Sequence, residues 1–266
     1  MKHVTLLTFL LLFSWLLLCS HEFWISPSGF RINPGERIRF SLWVGENFTG
    51  EVWEAGASRI TRFGDVYGEE GERNLLDSIY NDRLDSIYVR FEEPGTHEVV
   101  LATNFKFISL EADKFNAYLA EDGLDDIIAI RHQRGETGKP SRERYCRNAK
   151  TLIQVGPSSS LGTVRPVGLP CELIPMDNPY RVSKGDSIAF EIRFHGRPLA
   201  GVLVRHWNKP AANNQHLIAT ARSDANGRVV FVRQTGETLV SAVYMRPCPD
   251  PLAADWESYW ASVTFN

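Results

Sequence analysis

Apolar and polar residues alternate over residues 30–44 on both sides of Pro34-Gly35. A period of two sends successive side chains to opposite faces of a strand, so this stretch predicts antiparallel sheet with one wet face. Short runs of the same kind follow at 86–91 and, beyond Pro94-Gly95, at 96–103. The period then lengthens. Phe115, Tyr118, Leu119, Ile127, Ile128 and Ile130 recur at helical intervals with Gly123 between them, which predicts two short helices within 111–132. A strand is expected again at about 146–155, and the Gly-Pro-Ser-Ser-Ser-Leu-Gly stretch at 156–162 reads as a linker.

Beyond the linker the pattern is more regular. Strands are expected at Ser187–Phe194, 202–207, 228–233 and 238–245, separated by turn sequences at 196–201, 224–227 and near Gly236. Short strands at this spacing indicate a sandwich of immunoglobulin or transthyretin type. The expected fold is therefore mainly β, with a first β-sandwich domain at 21–156 carrying a short helical insertion and a second at 163–266.

The first 20 residues read as a signal peptide. Lys2 and His3 give a positive start, residues 4–18 form an apolar run too short for a comfortable membrane span, and Ser20 is a small residue suited to cleavage. Cys19 offers a lipoprotein cut instead, but the bulky Leu18 before it disfavours that, and plain cleavage is expected. The mature chain would begin at His21, whose free α-amine and imidazole Nδ1 can hold one metal ion together. A periplasmic or secreted location follows.

Composition narrows the choice of function. With 29 Lys+Arg against 32 Asp+Glu and 43% hydrophobic residues, neither disorder nor a nucleic-acid partner is indicated. Three cysteines remain after the leader, Cys146, Cys171 and Cys248, and the pair expected to bridge is Cys171 with Cys248. No Gly-x-Ser-x-Gly elbow or nucleophile and base pair is present, so no enzymatic activity is expected.

The candidate metal ligands are His21, Glu22, His97 and His206. His97 and His206 rank above His132, His195 and His216 because predicted strands hold a ligand more rigidly, although a plain core or surface histidine is the commoner case. Glu22 can supply an oxygen or orient the imidazole. Phe23 and Trp24 alternate, so one is expected to face the core and the other a site or partner. The charged run from Arg142 to Lys150 reads as a solvated ion-pair ladder. Residues 255–260 read as a final strand with an aromatic core face.

Several of these segments together resemble a known group. The leader with His21-Glu22-Phe23-Trp24, Val44-Gly45-Glu46, Lys114-Phe115-Asn116-Ala117-Tyr118-Leu119, Arg142-Glu143-Arg144-Tyr145-Cys146, Gly168-Leu169-Pro170, Asn178-Pro179-Tyr180 and Asp255-Trp256-Glu257-Ser258-Tyr259-Trp260 look like domain-of-unknown-function family 4198. Its members are exported bacterial proteins described as similar to the periplasmic component of nickel and cobalt uptake. The stretch at 196–201 with residues 223–227 also looks like carboxypeptidase regulatory-like modules. The family resemblance implies a metal-handling envelope protein and carries over His21 as the ligand. Members often place a histidine before the methionine of the last core strand, where this chain has Tyr244 before Met245.

The expectation is an exported protein that binds nickel, cobalt or copper through His21, with a membrane transporter as its onward partner. The alternative is an envelope carbohydrate-binding or adhesion module built on the aromatics. A copper monooxygenase is a third reading, and it lacks a placed second histidine.

Overall fold

The computed structural model describes residues 22–68, 71–157, 164–210 and 217–266. Its organising element is the strand Ser141–Val155, fifteen residues long and buried almost throughout its second half. One side of this strand pairs in parallel with Trp256–Phe265, from Glu143 opposite Trp256 to Thr151 opposite Thr264. The other side pairs antiparallel first with Lys106–Leu110 and then with Gly95–Thr103. A ten-stranded sheet grows from this centre. It reaches Leu217–Arg222 at one margin and Glu72–Asn74 at the other.

Two four-stranded sheets complete the fold among the described residues. One contains Glu22–Pro27, Glu36–Glu46, Thr49–Val52 and Ile87–Phe91; the other contains Cys171–Pro175, Ser187–Phe194, Arg197–Pro198 and Arg228–Val232. A single apolar cluster runs from Phe23, Phe40 and Leu42 through Leu152 and Ile153 to Leu173, Phe190 and Phe265. The mainly β fold with packed sheets agrees with the sequence pattern. The shared sheet crosses the expected linker, of which residues 158–163 lie outside the described residues.

Helices α1, Ala112–Glu121, and α2, Asp125–Gln133, fill the helical interval. Gly123 separates them at φ +63°, a left-handed conformation that costs a glycine little. Phe115, Tyr118, Leu119 and Ile127 pack with Val243, Met245 and Trp256 as a second cluster on the large sheet.

Three local readings need correction. Pro34-Gly35 does not close a hairpin: Arg31–Ile32 pairs with the central strand, while Glu36–Glu46 belongs to the adjacent sheet, so the turn passes the chain between sheets. Both Phe23 and Trp24 are buried. The first strand lies between two clusters, with Phe23 edge-on to Trp53 and Trp24 packed with Trp43, Phe48 and Trp207. Finally, the three cysteines are free and buried, with no bridge between Cys171 and Cys248. Cys171 lies in the main apolar cluster, whereas the Cys248 thiol lies 3.1 Å from the Asp250 carbonyl in the turn after its strand.

Candidate functional site

A cavity of about 930 Å³ opens where the first strand begins, within the size range of small-ligand pockets. Its walls come from the tight hairpin joining Glu36–Glu46 to Thr49–Val52, from Trp53 and Glu54, from Lys106 to Ile108, and from Glu143, Tyr145, Arg147 and Trp260. The hairpin turns through Asn47 and Phe48, both with positive φ, as a two-residue turn matched to strand twist requires. Gly45 and Gly50 let its strands touch: a Cβ on Gly45 would sit 2.1 Å from the Thr49 carbonyl oxygen. The sequence offered Val44-Gly45-Glu46 as part of a family pattern without showing that it walls a cavity.

Glu22 opens the first strand with its Cα paired to that of Gly45. Its side chain is buried, and desolvation pushes its pKa up to about 7 against the pull of the Arg205 guanidinium; Asp122 and Glu46 push in the same upward direction. Arg205 is itself engaged, its Nη1 donating to Asp122 Oδ1 at 2.8 Å. Glu143 lines the cavity and is also pushed up to about 7 by burial, against hydrogen bonds from Ser258 and Tyr118. The Tyr118 hydroxyl donates to Glu143 Oε1 at 3.2 Å, and its ring stacks on Trp260 at 6.1 Å. Asp122 acts on the charge of both Glu22 and Glu143, so the two carboxyls belong to one electrostatic neighbourhood. Sequence reasoning missed Glu143, whose neighbours in sequence suggested only a charged strand edge.

These two carboxyls set a pH dependence. Each holds its proton in the folded chain from its ordinary value of 4.5 up to about 7, whereas the unfolded chain releases it near 4.5. Folding stability therefore falls as pH rises through that window. His206, lowered from 6.5 to about 4, works in the opposite sense up to about pH 6.5, so thermal melts without metal should show a midpoint that declines most clearly between about pH 6 and 7.5. Glu143→Gln should flatten the decline by an amount on the order of 2 kcal/mol. An unchanged slope in that variant would show that Glu143 does not titrate late.

The other expected ligands are placed elsewhere. His97 lies in Gly95–Thr103 beside a smaller cavity of about 380 Å³. Its Nε2 is 2.8 Å from the Glu93 carbonyl oxygen and its Nδ1 2.9 Å from Asp65 Oδ1, while Tyr67 stacks on the ring at 4.3 Å. Asp65 also receives Arg73 at 2.9 Å. Both ring nitrogens thus already have oxygen partners within hydrogen-bond distance, and a metal would have to displace one of them. His206 is buried against Phe231, centroids 5.0 Å apart, and desolvation followed by Arg233 lowers its pKa to about 4, so it is a neutral ring in the core. His97 and His206 are not brought together with Glu22. His21 and His216 lie outside the described residues.

The charged run is only partly a solvated ladder. Arg142 pairs with Asp255 at 2.8 Å near the surface, and Arg144 and Arg246 both reach Glu257. Lys150, by contrast, is fully buried between Glu98 and Glu172. Within 255–260, Trp256 and Tyr259 face the core as expected, and Trp260 turns to the cavity. Among the described residues no group of three or more His, Cys, Asp or Glu is arranged to hold a metal, and no helix is long and apolar enough to cross a membrane.

Fold and cavity together define a mainly β protein with packed sheets and, among the described residues, a large pocket walled by the hairpin that pairs with its first strand. The chain belongs to the family described as a domain of unknown function, DUF4198, whose profile matches residues 18–246. No curated protein matches it. Similar solved structures include a segment of two fibronectin type-III domains from chicken tenascin, 11% identical, with 82% of this chain and 87% of that one covered and a TM-score of 0.20. Another is the tetra-tandem repeat of a large adhesion protein, 9% identical with a TM-score of 0.21, covering 93% of this chain but only 50% of that one. A third is the three N-terminal domains of the bacteriophage RB49 outer capsid protein Hoc, 8% identical, with 92% and 68% of the two chains covered and a TM-score of 0.22.

Proposed function

We propose that this is an exported cell-envelope protein that binds nickel, cobalt or copper at its mature N-terminus and passes it to a membrane transporter. The observation that carries the reading is Glu22: a buried carboxyl with its pKa raised to about 7, at the first residue of a strand, beside the cavity wall formed by Gly45 and Glu46. Burial without full charge compensation disfavours the carboxylate, and a bound cation would remove that penalty. The donors fit such an ion only in part. The carboxylates are oxygen ligands, and the nitrogen donors that favour nickel and copper over magnesium or calcium would come from the α-amine and imidazole of His21.

Rigidity supports the same reading. Trp24, clamped by Trp43, Phe48 and Trp207, fixes the strand two residues after Glu22, and a ligand on an anchored element keeps its geometry. Cleavage after Ser20 would leave His21 one peptide bond from Glu22.

Metal binding must then compete with protons at three groups: the His21 imidazole, the α-amine with an ordinary pKa of about 7.7 to 8, and Glu22. Affinity for Ni²⁺ measured by calorimetry should strengthen from pH 6 to pH 8. Glu22→Gln should lower the affinity about 10-fold or more and weaken its pH dependence. Equal affinity for Ni²⁺ and Mg²⁺, or no change in Glu22→Gln, would rule out the proposed donor set.

A further inference from the structure

Arg147 is the least explained charge in the cavity. Its guanidinium carbon lies 5.1 Å from the ring centroid of Phe23, 5.4 Å from that of Trp53 and 5.5 Å from that of Tyr145. Those rings face a cation favourably, but they accept no hydrogen bonds in the plane of the guanidinium fork. Among the described residues, no carboxylate pairs with it. The charged and phenolic groups that act on it are Tyr145 and the like-charged Arg59, and burial lowers its pKa to about 10. A half-buried arginine of this kind leaves its in-plane donors for something in the cavity.

The rest of the lining limits what that is. Lys106 adds a second positive charge, while Glu51 and Glu54 are exposed carboxylates on the same cavity, with no cation paired to either among the described residues. Opposite charges therefore face one space. Trp53, Tyr145 and Trp260 supply flat apolar surface between them, and Phe107 is 53% exposed at the wall. A phosphate dianion would meet the acidic side of this cavity unfavourably, and a plain cation would leave Arg147 without a partner.

We infer that the cavity binds a zwitterion, a free amino acid or short peptide with an aromatic side chain, whose carboxylate is held by Arg147 and whose ammonium faces Glu51 and Glu54. The two sources share one chemistry, and the cavity's volume admits either. The inference does not rest on metal binding at His21, and chelator-treated protein separates the two.

Calorimetry on the full mature chain in EDTA provides the test, with L-phenylalanine and the dipeptide phenylalanyl-alanine as probes. 2-Phenylethylamine, which lacks the carboxylate, and 3-phenylpropionate, which lacks the ammonium, serve as comparisons. At least one zwitterion should bind about 10-fold more tightly than either single-charge analogue, since each analogue lacks one of the two charge-assisted contacts. Tighter binding of the dipeptide identifies a peptide site, and tighter binding of phenylalanine an amino-acid site. Arg147→Gln should abolish the preference over 2-phenylethylamine. Because Arg147 also packs on Phe23 and Trp53, the exposed pair Glu51→Gln with Glu54→Gln gives a second test that spares the core: the zwitterion should then bind no better than 3-phenylpropionate. No saturable binding of either zwitterion, or equal binding of the amine, would overturn the inference.

Discussion

Lys150→Ala should destabilise the protein by about 3 to 5 kcal/mol, lowering the thermal midpoint by on the order of 10 °C. Lys150 is fully buried, its Nζ 3.0 Å from Glu172 Oε1 and 3.3 Å from Glu98 Oε2. The two carboxylates also receive backbone N–H groups: Arg165 donates to Glu98 at 2.9 Å, and Val167 and Gly168 donate to Glu172 at 2.7 and 3.0 Å. One ammonium therefore holds together strands from both halves of the sequence and the segment that leads into Cys171–Pro175. Removing it leaves two buried carboxylates facing each other, and desolvation already pushes the Glu98 pKa above its usual range. Lys150→Met combined with Glu98→Gln and Glu172→Gln should cost less than Lys150→Met alone, because the uncompensated charges leave with their partner. Equilibrium unfolding of the single and combined variants provides the comparison. A loss below about 1 kcal/mol for Lys150→Ala would mean that water reaches the site.

The second large effect concerns residues 163–266 expressed alone. The linker sequence suggests that this segment folds by itself. The pairing of Ser141–Val155 with Trp256–Phe265 gives a reason to expect otherwise. The fragment would lose that nine-residue parallel register, the Lys150 partner of Glu172, and the apolar faces of Cys146, Ala149 and Leu152 from the shared cluster. It would also expose a long unpaired strand edge, which favours association. The expected result is loss of a cooperative thermal transition, with aggregation. A sharp, reversible transition in the isolated fragment would show that the second half carries a sufficient core of its own.

The elements that were legible in the sequence are those governed by local chemistry. Alternation identified Ile87–Phe91, whose burial follows a two-residue period, whereas Gly95–Thr103, buried at every position, and Ser187–Phe194 stood out as short runs bounded by turn residues. Helical spacing broken at Gly123 identified α1 and α2. Which strands lie side by side was not legible. The parallel pairing of two strands more than a hundred residues apart depends on how several faces match at once, and no local pattern encodes it. The same limit applied to the cavity. Glu22 stood out as the second residue after the leader, whereas Glu143 and Arg147 looked like ordinary members of a charged run. Their burial comes from Tyr118, Ser258, Phe23 and Trp53, residues remote in sequence. Trp24 was read as a choice between core and site because one core was assumed, and the first strand lies between two.

The proposed metal site depends on a free amine at His21, so the most direct measurement compares two forms of the mature protein: one beginning at His21 and one with a single alanine ahead of it. The added residue keeps the His21 side chain but turns its α-nitrogen into an amide, which breaks the six-membered chelate between the His21 α-amine and its imidazole Nδ1. Calorimetry with Ni²⁺ at pH 8 should show at least about a 10-fold loss of affinity in the extended form, equivalent to roughly 1.4 kcal/mol. Equal affinity in the two forms would contradict metal binding at the mature N-terminus.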